Sequence, residues 1–317
     1  MGFIPCFLAC ETEVEIDIPK DDTRLVVNAI LEEDSTVSLQ LSESRFSLSS
    51  DPIQNVVGAT VTLFENDIAV ATLKDTVDEF QQEGWYVTDY RPKEDASYRI
   101  SASKEGYPGV EAQIDIPKAV EISNVDYGFQ TIEETIFIDD APTIIERKQL
   151  TTVDLMIDDP VGEDNYYEVV MYQDGAFQFV YDFDDEGAPF ITDTLIRRFE
   201  VYLSTEDPIF SEGDVLDGDD YFYGNSLVFS DESFNGKNYT LKLNFEGSSG
   251  FSLDPVSDYI IFLRSISREQ YLYFRSLELQ YETEGNPFAE PVPVYNNIAG
   301  GYGIFVGFSH DHRRIIL

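Results

Sequence analysis

The chain has 317 residues, with 61 Asp and Glu against 20 Lys and Arg, for a formal net charge of −41 at pH 7. A field of that sign repels phosphate backbones, which excludes nucleic acid as a partner, and it draws the protein to no anionic membrane surface. A hydrophobic fraction of 43% with 14% aromatics offsets the entropy of ordering the chain; wholesale disorder is excluded, and the length suits two ordinary domains or one large β domain.

Cys6 and Cys10 are the only cysteines, so no disulfide can staple the body and its stability must come from packing. "MGFIPCFLAC" is apolar and uncharged, with small Ala9 just before Cys10. It resembles the end of a secretory signal, although no basic segment precedes it and Phe7 and Leu8 depart from the usual pattern. On this reading residues 1–9 are a signal peptide remnant and Cys10 is lipidated, anchoring the protein by about 0.8 kcal/mol per buried methylene. Residues 10–22, "CETEVEIDIPKDD", form an acidic tether, too charged to continue a core strand. The competing reading makes Cys10 an ordinary buried thiol.

From residue 23 to 117 short alternating runs are separated by Gly, Pro, Asn and Asp. They are "RLVVNAIL", "TVSLQLSE", "GATVTLFEN", "IAVATLK", "GWYVTDY", "SYRISAS" and "GVEAQIDIP". Val37, Leu39 and Leu41 share one face, as do Ala59, Val61 and Leu63. About seven such strands predict an immunoglobulin-like or transthyretin-like β-sandwich. Residues 118–317 predict a larger β-rich domain with strands at "LTTVDLMI", "YYEVVMYQDG", "RRFEVYLS", "NYTLKLNF" and "DYIIFLRS". The fold class is therefore mainly β. One amphipathic helix is predicted over about 267–283. Ser267 caps it with Gln270 three residues on, Gly285 stops it, and Tyr271, Phe274, Leu277 and Tyr281 make an apolar stripe. Pro291 to His310 is uncharged but holds two prolines and four glycines, so it reads as turn-rich and not as a membrane span.

Familiar catalytic motifs are missing. The two histidines, His310 and His312, both lie within eight residues of the end, and a Ser- or Cys-based nucleophile needs a histidine beside it. With Asp311 between them they form at most a metal fragment, and the reading favoured is a solvated tail. Sixty-one acids make chance carboxylate pairs certain, so a glycosidase pair cannot be singled out. The expectation is a protein that is not an enzyme. "DFDDEGAPFITD" spaces Asp182, Asp184, Glu186 and Asp193 like a calcium loop, with Gly187 at the sixth position, though Glu186 and Asp193 depart from the usual residues. Calcium is the one candidate cofactor beside the covalent lipid on Cys10. "DVLDGDD" is a second acidic turn. Tyr221, Phe222 and Tyr223 follow one another in a predicted loop; neighbours in an extended chain point opposite ways, so at least one is exposed, and the three are the candidate partner contact.

Several segments carry a resemblance: Cys10 with its acidic successor, "TRLVVNAILEED", "VVGATVTLFEND", "SYRISASKEGYPGVEAQIDIP", "LVFSDESFNGKNYTLKLNF" and "REQYLYFRSLELQYETEGNPFAEPVPVYNNIAGGYGIFVGFS". They resemble a Bacteroidota family of outer-membrane lipoproteins catalogued as domain of unknown function 4249. The resemblance implies a surface-facing location at the outer membrane, lipid anchoring, an acidic export signal after the cysteine, and a β-barrel partner of the TonB-dependent transporter kind. It offers no catalytic residues and no ligand. The expected role is a non-enzymatic accessory in ligand capture or gating; the alternative is a structural subunit of an outer-membrane protein or lipoprotein assembly complex.

Overall fold

The computed structural model describes residues 22–46, 49–77, 83–138, 141–183, 189–210, 226–246, 258–283, 290 and 292–317. The first eight strands are β1 (Leu25–Glu32), β2 (Val37–Glu43), β3 (Thr60–Glu65), β4 (Ile68–Thr72), β5 (Lys74–Thr76), β6 (Trp85–Thr88), β7 (Ala96–Ser103) and β8 (Val110–Ile116). They pair in the orders β1-β2-β6-β5 and β4-β3-β7-β8. That is an immunoglobulin-type sandwich, strands A-B-E-D facing C′-C-F-G. Period-2 alternation makes it: Leu25, Val27, Ala29 and Leu31 on β1 are buried and meet Val61, Leu63, Ile100 and Ile114 of the other sheet. Tyr98, at the start of strand F, is fully buried and accepts a hydrogen bond at 2.7 Å from the Lys93 amide a few residues upstream, the tyrosine-corner arrangement of this fold.

The remaining elements are β9 (Ile122–Ile138), β10 (Ala141–Asp158), β11 (Tyr166–Phe183), β12 (Pro189–Glu200), β13 (Leu227–Ser230), β14 (Asn238–Glu246), β15 (Asp258–Ile266), α1 (Arg268–Thr283) and β16 (Tyr302–Ile316). A three-stranded sheet, β14-β10-β9, packs on β11, β13, β15 and the end of β16 to make a second core. The first core draws on residues 25–116 with Ile298 and Phe305, and the second on residues 120–315. One sheet runs beneath both, in the order β12-β11-β15-β16-β1-β2-β6-β5, with β13 also on β11.

The strand that joins the halves is β16. It pairs in parallel with β1, Val26↔Tyr302 through Glu32↔Phe308, and antiparallel with β15, Ile266↔Phe308 through Asp258↔Ile316. Phe305 belongs to the first core and Ile315 to the second. Odd-numbered residues of β16 share a face, so both small sheets lie on the same side of the platform and α1 lies on the other, against Phe308. The turn-rich reading of 291–310 is therefore corrected from Tyr302 onward, as is the solvated tail. The glycines that suggested turns serve a close approach instead: Gly303 has φ +110°, and a Cβ there would collide with the Val27 carbonyl of β1.

Two long ribbons leave the platform where Ile316 faces Asp258. β9 and β10 stay paired out to Ile138↔Ala141, whereas β14 accompanies β10 only from Leu150 to Asp158. β11 and β12 stay paired out to Phe183↔Pro189, whereas β15 accompanies β11 only to Asp174. Tyr127 on β9 donates to the Ile316 carbonyl at 3.4 Å, which sets both ribbons at the same end. β1 starts at the other end, about 45 Å away by the rise of β16.

Replacing Gly303 with Ala should separate the start of β16 from β1 and lower stability by about 2–4 kcal/mol, combining left-handed strain with a backbone collision. Urea denaturation measures this, and a loss below 1 kcal/mol would show that the β1–β16 seam is not a main support.

Candidate functional site

Because α1 covers only the middle of the platform, the face formed by β1, β2 and β6 stays open among the described residues. The cleft between that face and the helix has a volume of about 650 Å³, within the range of small-molecule sites. Register builds its floor. Asn28 is paired with Ile304 on one side and with Gln40 on the other, and Gln40 with Trp85. These four residues form one row across four strands, about 14 Å long at the usual strand spacing. Ile30 and Val306 make a parallel pair one step along. Ile30 is 58% exposed and adds apolar surface to the open face.

The wall is the first two turns of α1, with Gln270, Tyr273 and Phe274. Ser267 starts the helix: its Oγ accepts from the Gln270 amide at 3.4 Å and from the Gly307 amide at 3.3 Å, so one hydroxyl caps α1 and ties it to β16. The predicted capping box is only half formed, because the Gln270 side chain reaches across to Glu168 at 3.4 Å. The predicted stripe packs through Tyr271, Phe274 and Leu277 but leaves Tyr281 44% exposed.

Beneath the wall lies a charged pair. Glu168 is 3% exposed and accepts from Arg264 Nη1 at 3.1 Å. Arg264 also donates to the Tyr172 hydroxyl at 3.3 Å and stands over the Phe308 ring at 4.7 Å. Burial works against the guanidinium charge, but Glu168 and Tyr172 outweigh it and hold the Arg264 pKa above its ordinary value. Glu168 is the one carboxylate among the described lining residues, and it is already engaged. Two buried polar atoms of the lining have no hydrogen-bond partner among the described residues: Trp85 Nε1 and Gln270 Oε1.

A second cleft, of about 840 Å³, sits where the two sandwiches meet and carries Asp95, Asp115, Glu121, Asp158, Glu163 and Asp164. Elsewhere, buried acids are consumed by loop geometry. Asp159 accepts from the Tyr167 hydroxyl and, at 2.7 Å, from the Gly236 amide; Asp207 accepts from Tyr239 and from the Lys242 amide at 3.2 Å. Among the described residues no three His, Cys, Asp or Glu side chains converge as a metal ion would require.

Of the residues singled out in the sequence, Cys10, Asp184, Glu186, Tyr221, Phe222 and Tyr223 lie outside the described residues, as do the side chains of Asp182 and Asp193. The backbone of Asp182 is opposite Phe190 and that of Asp193 opposite Phe179, on adjacent strands. His310 and His312 lie on the platform face that carries α1, with Asp311 on the other, bonded to the Ile122 amide at 2.8 Å. Alternation thus prevents the three from gathering round one ion. His310 packs on Phe262 at 5.2 Å, and its Nδ1 has no hydrogen bond, with Glu32 3.8 Å away.

The family model for this sequence covers residues 11–314. The chain belongs to the family described as a domain of unknown function, DUF4249. No curated protein matches it, and no solved structure does. Within this DUF4249 chain the cleft was not legible beforehand, because its floor is assembled from strands far apart in sequence; the exposed Ile30 in an otherwise alternating strand and the single tryptophan were its only signals.

Glu168→Gln should cost about 2–3 kcal/mol, less than a fully buried pair because Arg264 keeps some access to water. The double change Glu168→Leu with Arg264→Met should recover part of that loss in urea denaturation. A second measurement concerns His310, whose pKa is lowered by burial and only partly restored by Glu32, while His312 and Arg264 lower it further and Asp311 opposes them. The unfolded chain then takes the proton first as pH falls below about 6.5, so native histidine costs stability there. Relative to wild type, His310→Gln should gain stability between about pH 7.5 and pH 5.5; a constant difference would remove His310 as the cause.

Proposed function

We propose that this is a non-enzymatic binding protein, held at the outer-membrane surface by a lipid on Cys10, which captures or gates a ligand for a neighbouring β-barrel of the TonB-dependent transporter kind. The observation that carries the reading is the open cleft. Its lining offers apolar surface and hydrogen-bonding side chains, and its one described carboxylate is tied to Arg264, so it has the makings of a binding site more than of a paired-acid active site. Tethering supports it as well: residues 11–24 separate Cys10 from the start of β1, and fourteen extended residues reach about 50 Å at most. A lipid on Cys10 would keep the β1 end within that reach of the bilayer. Among the described residues no helix is long and apolar enough to cross a membrane. Calcium at the acidic tip of the β11–β12 ribbon and a barrel contact through Tyr221, Phe222 and Tyr223 belong to the same proposal.

A second reading, a structural subunit of an assembly complex, is favoured by the two ribbons that extend past the platform. Long edges left unpaired among the described residues invite a partner. Depletion separates the two: an accessory predicts loss of one nutrient, an assembly subunit loss of many outer-membrane proteins.

Labelling cells with a palmitate analogue should mark the wild-type protein and leave Cys10→Ser unmarked and released from the membrane fraction. Solubilisation in mild detergent should bring a β-barrel with the wild-type protein. Recovery of the protein alone, or membrane retention of Cys10→Ser, would count against this reading.

A further inference from the structure

We propose that the cleft beneath α1 binds a neutral saccharide chain, lying along the row of Ile304, Asn28, Gln40 and Trp85. The proposal deepens the ligand-capture reading and rests on it for the choice of site, but not for membrane attachment or a barrel.

Charge narrows the class first. The whole protein carries −41, yet the described lining has one ionisable carboxylate, Glu168, and it is 3% exposed and bonded to Arg264. A phosphate or carboxylate ligand would find no free cation there and would be repelled by the surrounding field. A cationic ligand would have to compete with Arg264 for Glu168. What remains for recognition is uncharged: the amides of Asn28, Gln40 and Gln270, the Ser38 hydroxyl and the Trp85 indole.

Polarity then separates saccharide from lipid. Asn28 and Ser38 are exposed in the cleft and Gln40 is half-buried, so a purely apolar occupant would strip water from three polar side chains and leave them unpaired, at a cost for each. A sugar ring has an apolar face, which stacks on aromatic surface such as Trp85 or Phe274, and hydroxyls at its edge that both donate and accept. The row offers both kinds of surface, with apolar Ile304 and Trp85 at its ends and two amides between them. Its length of about 14 Å suits an oligomer better than a single ring. Trp85 Nε1 and Gln270 Oε1, a donor and an acceptor without partners, belong to side chains on opposite borders of the cleft. Neighbouring atoms cover both, so reaching them requires the two side chains to turn.

Trp85 is the one tryptophan in the chain, and its emission reports that movement directly. The full chain carrying Cys10→Ser is titrated with neutral glucose-, galactose-, mannose- and xylose-based oligosaccharides, by fluorescence and by calorimetry. At least one should give a saturable change in Trp85 emission. Asn28→Ala, at the surface, and Gln40→Ala, half-buried, should each weaken that binding about tenfold, and Trp85→Ala should abolish it by calorimetry, with circular dichroism unchanged. Absence of binding by every neutral oligosaccharide at about 1 mM, binding untouched by the three variants, or protection of the cleft only by a co-purified β-barrel would overturn the proposal. Failure here leaves barrel co-purification unaffected, and solitary recovery from detergent leaves the titration unaffected, so the two readings fail separately.

Discussion

The parallel pairing of β16 with β1 is the contact on which the rest of the structure depends. It joins the first described strand to the last, so neither the platform nor the first core is complete until β16 has been made. Parallel strands require a crossover connection, and here the crossover is the entire body of the protein. Such a non-local pairing carries a high loop-closure cost and implies slow folding. In return β16 is paired with β1 along its first half and with β15 along its second, and it lies between two sandwich layers on one side and a helix against Phe308 on the other.

That arrangement also decides where an opening can exist. A helix that starts at a cap bonded to β16 lies along the middle of the platform, and among the described residues the flank made by β1, β2 and β6 is left uncovered. The cleft is the consequence of one helix serving a wide sheet. Its polar character follows from period-2 alternation, which sends Leu25, Val27 and Leu31 into the sandwich and leaves Asn28 and Ile30 on the open side. The Glu168–Arg264 pair beneath the helix removes charge from the cleft without removing the charged residues.

The strong acidity of the chain has several structural outlets. Asp159 and Asp207 hold loops by accepting backbone and tyrosine hydrogen bonds, and Asp311 fastens β16 to the start of β9. Others gather at the junction of the sandwiches. An acidic residue in a loop of this protein is therefore more informative when its partners are known than when it is counted.

Local signals in the sequence determined seven of the eight strands of the first sandwich, all but the short β5, together with the helix and its Ser267 cap and the mainly β class, because alternation and capping are properties of neighbouring residues. The same signals misread β16. Its glycines look like turn residues until Gly303 and Gly307 are seen against β1 and against Ile114 and Ile116. The 118–317 region yielded several strands but not the long ribbons, whose pairing extends beyond any one alternating run. Only tertiary structure decided that one sheet serves both cores, that His310 and His312 face away from Asp311, and that Asn28, Gln40, Trp85 and Ile304 stand in a row. Strand register across distant segments is set by packing and backbone pairing between them, and no single stretch of sequence contains it.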